Sequence, residues 1–297
     1  MEDIDFQGLE HKCKNLENEL KKVKDELEIE KWGALKTNQA IKFLYKELDK
    51  QNRDLQSLDQ LKTDFINIAS HELRTPLAII KEAVSQLLDG LHGSVTLKQR
   101  DFLMLCLGDV DRLKRLIDDL LDISKIEAGQ FKLIQEHVDI VSLARRVMAS
   151  FSIKARSANL ELRENFPSKE AMAFVDKDSI IRVFTNLIGN AMKFTVEGYI
   201  EVSVEDKADS VHCAVSDTGR GISEYELPKL FSKFQQFGTA GSGAEKGSGL
   251  GLNISKGLLD LHHADIWVES SINKGTKFTF TLLKQPEQKK DSDKQEV

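Results

Sequence analysis

Ser70-His71-Glu72-Leu73-Arg74-Thr75-Pro76-Leu77 is the stretch whose reading decides the architecture. Around it, Phe65, Ala69, Leu73, Pro76, Ile80, Val84, Leu87 and Leu91 recur at three- and four-residue steps. At about 100° of turn per residue this spacing makes one apolar stripe along a helix, and such a stripe requires a partner surface. By the same arithmetic His71 lies about 170° from the middle of the stripe. It therefore faces solvent, with Thr75 one turn further along the same open face and Glu72 directly after it. A lone helical histidine is ordinarily a partly buried, hydrogen-bonded side chain, and the stripe argues against that here. An outward imidazole is mostly neutral near physiological pH. A carboxylate that accepts from one ring N–H fixes the tautomer and leaves the other nitrogen the better nucleophile. Pro76 cannot donate to the carbonyl of Glu72, so the helix should bend or loosen just past the histidine.

Upstream, steps of four and three residues visit Leu9, Cys13, Leu16, Leu20, Val23, Leu27, Ala34, Ile41, Leu44, Leu48, Leu55, Leu58, Phe65 and Ala69. A sustained repeat of this kind specifies a left-handed coiled coil. Its register runs unbroken into the histidine helix, as a passive dimerisation rod or as a signalling helix would. Downstream, Gly90 and Gly93 mark a turn and Thr96 a helix cap. A second amphipathic helix then runs to about residue 128, and glycine at 129 stops it. Two antiparallel amphipathic helices expose too much apolar surface alone, so pairing of two chains into a four-helix bundle is expected.

After Gly129 the pattern turns to mixed α/β. Strands are expected near 131–134, 160–165, 171–175, 199–205, 211–217, 266–269 and 277–282, with helices over 140–155, 178–194 and from about 248. In the 178–194 helix, Arg182, Asn186, Asn190 and Lys193 share one face opposite the apolar one. Asparagine is a poor helix former. Amide oxygens suit a hard cation and lysine suits phosphate, although a merely solvated face would read the same way. In the 211–217 strand, Asp217 shares a face with Val211, Cys213 and Val215, which directs its carboxylate inward. Six glycines between 238 and 251 end in Gly247-Ser248-Gly249-Leu250-Gly251-Leu252. A glycine-rich backbone leading into a helix N-terminus is a phosphate-binding arrangement.

These stretches resemble, in order, the motifs of two-component sensor histidine kinases. Residues 70–77 look like the H box, where the histidine is phosphorylated from ATP and passes the phosphoryl group to an aspartate of a separate response regulator. Asn186-Leu187-Ile188-Gly189-Asn190-Ala191-Met192-Lys193-Phe194-Thr195 is similar to the N box, which implies Asn190 as a Mg²⁺ ligand and Asn186, Lys193 and Phe194 beside the nucleotide. Asp217-Thr218-Gly219-Arg220-Gly221-Ile222 resembles the first glycine box, whose aspartate accepts from the adenine amino group and whose glycines leave room for the base. Phe231 to Phe237 looks like the phenylalanine box, with Phe234 assigned to the nucleotide. Gly247, Ser248, Gly249, Leu250 and Gly251 follow the N box and the aspartate box in the family's order, which implies a mobile ATP lid. Gly275-Thr276 resembles the last motif, where the threonine assists the aspartate through water. Glu72 and Thr75 also fit the family's phosphatase pattern, which implies hydrolysis of the regulator's phospho-aspartate as a second activity. The family often has two glycines where this chain has His263-Ala264, so a different helix exit is expected there.

The heptad repeat for the first 57 residues and the resemblance for about 58–284 together imply an α+β multidomain chain. It comprises an N-terminal coiled coil (1–57), a dimeric four-helix-bundle histidine domain (58–129), an α/β sandwich ATP-binding domain (130–285) and a disordered tail (286–297). The implied cofactors are ATP and Mg²⁺. The implied partners are a second copy of the chain and a response regulator receiver domain. Composition bounds the rest. A net charge of −6 and 30% charged residues disfavour a nucleic-acid partner. No apolar run reaches the roughly 20 residues of a membrane span, so no direct membrane insertion is expected. Cys13, Cys106 and Cys213 are few and scattered, which fits a reducing, cytoplasmic setting. Rivals are a non-catalytic scaffold that only senses ATP and a conformational ATPase that hydrolyses it with water.

Overall fold

A computed structural model describes residues 6–235 and 248–285. The chain divides into two units, after Lys62. One helix, α1 (Phe6–Leu88), contains the whole heptad series and carries on through Pro76. In the first unit the heptad leucines are uncovered: Leu20, Leu48 and Leu58 are each more than half exposed. A single amphipathic helix offers nothing to bury them against.

In the second unit, α1 turns at Gly90 and Gly93 into α2 (Leu97–Glu127). The start of α2 is fixed by a capping box. Thr96 accepts from the Gln99 N–H, and the Gln99 side chain accepts from the Thr96 N–H. The hairpin buries Leu77, Ile117 and Leu121, with Ile66 and Val110 packed beside them. Arg74 to Asp118 and Lys81 to Asp111, both at 2.8 Å, tie the helices at their margins. On α1 the buried residues lie seven apart, at Thr63, Ser70 and Leu77. This line runs about 90° from the centre of the apolar stripe. Phe65, Leu73 and Ile80 of the stripe consequently stay exposed.

The rest of the second unit, after α2, holds a five-stranded sheet, ordered β2-β4-β5-β7-β6, with a separate two-stranded ribbon β1-β3. The strands are β1 (Gln135–Asp139), β2 (Leu160–Asn165), β3 (Met172–Asp176), β4 (Gly198–Asp206), β5 (Ser210–Asp217), β6 (Ile266–Ser271) and β7 (Gly275–Leu283). The helices are α3 (Ile140–Ser157), α4 (Lys177–Phe194) and α5 (Gly251–Leu261). Among the described residues only β2 and β4 pair in parallel. Alternate residues Ile200, Val202, Val204, Val211, Cys213, Val215, Phe278, Phe280 and Leu282 join the apolar faces of the three helices in one core. Phe184 of α4 meets Phe280 of β7 edge-on, with ring centroids 5.2 Å apart.

In the ribbon, Asp139 and Asp176 end their strands and cap the helices that follow. Asp139 accepts from the Val141 and Ser142 N–H groups, and Asp176 from that of Ser179. Each also reaches across the ribbon: Asp139 accepts from the Ala171 N–H, and Asp176 from the Ile134 N–H. The strand expected at 131–134 is not formed, and its neighbour Gln135–Asp139 pairs instead. Ile134 is exposed, and its N–H is taken by the Asp176 carboxylate rather than by a strand. The last helix begins at Gly251, three residues later than its expected start near 248.

Candidate active site

His71 is exposed on α1, as are Glu72 and Thr75. Thr75 Oγ1 donates back to the His71 carbonyl at 3.5 Å, a contact at the limit of a hydrogen bond. Among the described residues no group hydrogen-bonds the His71 ring, and the Glu72 carboxylate is not joined to it.

A second set of predicted residues gathers at one end of the five-stranded sheet. β5 ends in Asp217, whose carboxylate follows the inward row of Val211, Cys213 and Val215. It accepts from the Gly219 N–H at 2.8 Å and from the Thr276 N–H, its neighbour across the β5–β7 ladder. Burial raises the Asp217 carboxyl above the usual carboxylate range, and these two hydrogen bonds only partly offset it. A half-buried, poorly solvated acceptor of this kind favours a ligand that brings its own N–H donor. Thr276 is buried, and its hydroxyl pairs with Ser270 Oγ at 2.9 Å. Ser270 Oγ also accepts from the Ile222 N–H, which anchors the loop after β5.

The glycines of that loop serve chain crossing. A Cβ on Gly219 would lie 2.4 Å from the Phe194 carbonyl oxygen, and one on Gly221, at φ +69°, 1.9 Å from that of Ser271. Gly275, at φ +96°, would bring one within 1.8 Å of the Asp217 carbonyl oxygen. Phe194, the last residue of α4, is half-buried, with the Arg220 guanidinium 4.5 Å from its ring centre. The Lys193 ammonium sits 5.0 Å from the same ring.

Along α4, Asn186 is tied to α5. Its Nδ2 donates to the Gly251 carbonyl at 2.9 Å and lies 3.2 Å from Ser255 Oγ. Asn190, one turn on, is half-buried, and among the described residues no protein group hydrogen-bonds its amide. Ser248 Oγ accepts from the Leu250 N–H at 3.2 Å. Leu250 is buried at the head of α5, where no side chain caps the helix. The first turn of α5 thus presents backbone N–H groups without a side-chain acceptor. Gly249, at φ +71°, lies against Phe234 and Gln235. Phe234 itself is 65% exposed. Gly247 and the tail from 286 onward lie outside the described residues.

Two family models match the sequence. The His Kinase A (phospho-acceptor) domain covers residues 61–129, and the histidine kinase-, DNA gyrase B-, and HSP90-like ATPase covers residues 175–286. The chain belongs to the sensor histidine kinases. The sensor histidine kinase WalK of Bacillus subtilis is 32% identical over 241 residues, which are 80% of this chain and 39% of WalK. The chain thus spans well under half the length of that relative. Full-length ShkA in complex with AMPPNP aligns with a TM-score of 0.63 at 26% identity, over 74% of this chain and 45% of that one. Histidine kinase ThkA in complex with the response regulator protein TrrA aligns at 0.52 and 25% identity, over 76% of this chain and 62% of that one. Among the described residues of this sensor histidine kinase, no helix is long and apolar enough to cross a membrane.

Two features of this kinase chain were not foreseen from its sequence. Arg182 on α4 pairs with Asp119 and Asp122 of α2. His262, at the end of α5, is buried with both ring nitrogens engaged. Nδ1 lies 2.7 Å from the Leu258 carbonyl oxygen, and Nε2 accepts from the Asp176 N–H at 2.9 Å. The ring therefore links the end of α5 to the capping residue of α4. A histidine at the expected helix exit was the only sequence signal for it.

Proposed function

We propose that the chain is an ATP-dependent protein-histidine kinase that works as a homodimer, phosphorylates His71 and passes the phosphoryl group to an aspartate of a separate response regulator. The observation that carries this reading is the half-buried Asp217 carboxylate in the same unit as a solvent-facing imidazole. The former suits the adenine amino group as donor, and the latter is open to an incoming phosphoryl group. ShkA is described in complex with AMPPNP and ThkA in complex with a response regulator, which supports the same ligand and partner classes here. The stripe of Phe65, Leu73 and Ile80, exposed on the single chain, supports pairing with a second copy into a four-helix bundle.

The donor set fits a magnesium nucleotide. Asp217 would accept from adenine, the head of α5 with Ser248 would face the phosphates, and Asn190 would hold Mg²⁺ through its free amide oxygen. The metal would neutralise charge on the phosphates. The protein's part is positioning: the ATP domain brings the terminal phosphorus in line with a His71 ring nitrogen. That nitrogen attacks, the bond to the bridging oxygen breaks, ADP leaves, and the other ring nitrogen gives up its proton. Glu72 would accept that proton once its carboxylate turns to the ring. Incubation with γ-labelled ATP should give an acid-labile, base-stable label in the wild type and none in His71→Gln, which should still bind ATP. Label retained in His71→Gln would refute the assignment. Nucleotide binding without any label in the wild type would favour the scaffold reading.

A phosphatase activity is the second part of the proposal. Thr75 shares the open face of His71, where its hydroxyl can orient a water towards a docked phospho-aspartate. Thr75→Ala should then slow dephosphorylation of the regulator and leave labelling of His71 intact. An unchanged dephosphorylation rate removes this role.

A further inference from the structure

Arg182 lies on the α4 face that carries Asn186, Asn190 and Lys193, yet it is turned towards α2. Its guanidinium donates to Asp119 Oδ1 at 2.7 Å and also pairs with Asp122. The three side chains are only 29%, 21% and 19% exposed, in the order Arg182, Asp119, Asp122. The pairs are therefore shielded from the screening that makes open surface bridges weak. Asp119 has a second donor, since Ser248 Oγ lies 3.2 Å from its Oδ2. Ser248 belongs to the approach to α5, and Asn186, one turn along from Arg182, holds the first carbonyl of α5. One α2 carboxylate thus sits where α4 and the head of α5 converge. The other acidic residue at that level, Asp118, faces α1 and pairs with Arg74, so Asp119 and Asp122 are not needed to hold the hairpin.

We propose that Arg182 is a phosphate-binding residue of the nucleotide site and that Asp119, supported by Asp122, is its tethered competitor. This rests on the nucleotide reading given above. Carboxylate and phosphate oxygens ask for the same partners: a planar guanidinium fork and a hydroxyl donor. Both cannot hold Arg182 and Ser248 at once. Triphosphate binding and the docking of α4 on α2 therefore oppose each other. By linkage, whatever separates α2 from α4 strengthens nucleotide binding by the same factor by which the nucleotide weakens docking. The contacts at the far end of α2 are untouched by the exchange. Glu127 pairs with Lys233, and Ile126 packs where a Cβ on Gly257 would lie 3.0 Å away. The ATP domain would thus pivot on the end of α2 rather than detach.

Calorimetric titration of the full chain with AMPPNP and, separately, with adenosine tests this. Asp119→Asn combined with Asp122→Asn should tighten AMPPNP about tenfold, the worth of one charge-assisted hydrogen bond, and leave adenosine unchanged. Adding Arg182→Gln in that background should bring AMPPNP back to within about twofold of the wild type. No tightening in the paired asparagine variant overturns the proposal while leaving the nucleotide site intact. So does tightening that survives Arg182→Gln, or an equal gain for adenosine. Wild-type protein that binds neither ligand overturns the nucleotide reading and this inference together.

Discussion

Gly275→Ala offers a sharp test of how the sheet holds the candidate adenine site. Gly275 opens β7 at φ +96°, and a Cβ there would lie 1.8 Å from the Asp217 carbonyl oxygen and 2.8 Å from its carbon. Real Cβ contacts begin near 3.0 Å, so one of the two backbones must move by about 1 Å. Neither can yield cheaply, because Ser271 pairs with Gly275, and Asp217 with Thr276, in adjoining ladders. A left-handed conformation forced on alanine adds about 1 kcal/mol, and backbone displacement in a packed sheet about 2 kcal/mol more. The sum, near 3 kcal/mol, should lower the melting temperature of the ATP domain by roughly 6–12 °C. Because the displaced atom belongs to Asp217, ATP affinity should fall at least about tenfold, the worth of one hydrogen bond to a charged group. Thermal unfolding followed by circular dichroism, with nucleotide titration below the transition, measures both. A variant that melts within about 2 °C of the wild type and binds ATP equally well would refute the packing argument.

Asp217→Asn should abolish measurable ATP binding while leaving the apo fold at least as stable at neutral pH. Burial holds the Asp217 carboxyl above its ordinary range, so its ionised form is a cost to the empty protein at every pH above that value. A clear drop in apo stability would contradict this. Burial holds His262 below the usual imidazole value, against the opposing pull of the Leu258 hydrogen bond and of Asp176, with His263 adding to the lowering. Its contribution to stability is therefore complete above about pH 6.5 and is lost as pH falls through the lower folded value. Melting curves of the wild type should fall faster than those of His262→Gln over that acid range, and parallel curves would dismiss the link. Ser124 Oγ is buried and finds no partner among the described residues, so Ser124→Ala should be neutral or stabilise by up to about 1 kcal/mol in denaturant unfolding; a loss of that size would reveal a hidden hydrogen bond. Leu44→Asp with Leu48→Asp should weaken the dimer at least about tenfold in sedimentation while the four-helix bundle still pairs the chains, since each leucine buried in a coiled coil contributes roughly 1.5–3 kcal/mol. An unchanged dissociation constant would show that the heptad leucines are not part of the interface.

Periodic features were legible and long-range ones were not. The heptads announced α1, and two-residue alternation placed β4 and β5 to within a residue, because both patterns reflect which face is buried. β1 escaped notice because Gln135, Glu136 and His137 are exposed and only Val138 is buried; its pairing with β3 is what makes it a strand. Helix period and strand parity put Asn190 and Asp217 on candidate faces, and the motif resemblance attached roles to them. The engagement of Asn186 with α5 could not be read this way, since its acceptor at Gly251 lies 65 residues away. Nor could the pairing of Arg182 with Asp119, 63 residues apart. The glycines at 219 and 221 were legible as necessary but for an incomplete reason. They were read as room for a base, and they also let backbones cross.

The ribbon of β1 and β3 carries one more consequence. Burial alone would raise the carboxyls of Asp139 and Asp176, but the N–H groups they collect hold both below their ordinary value. Each therefore stays charged down to about pH 4 and keeps its helix capped. Sliding one strand past the other by a single residue would pull both carboxylates away from the N–H groups they reach across the ribbon and turn Val138 or Val175, whichever strand slips, outward. With each lost cross-ribbon hydrogen bond to a carboxylate costing roughly 1.5–3 kcal/mol, a mispaired ribbon would be penalised at both ends at once. Two aspartates thereby favour the one register in which both carboxylates keep their full sets of donors.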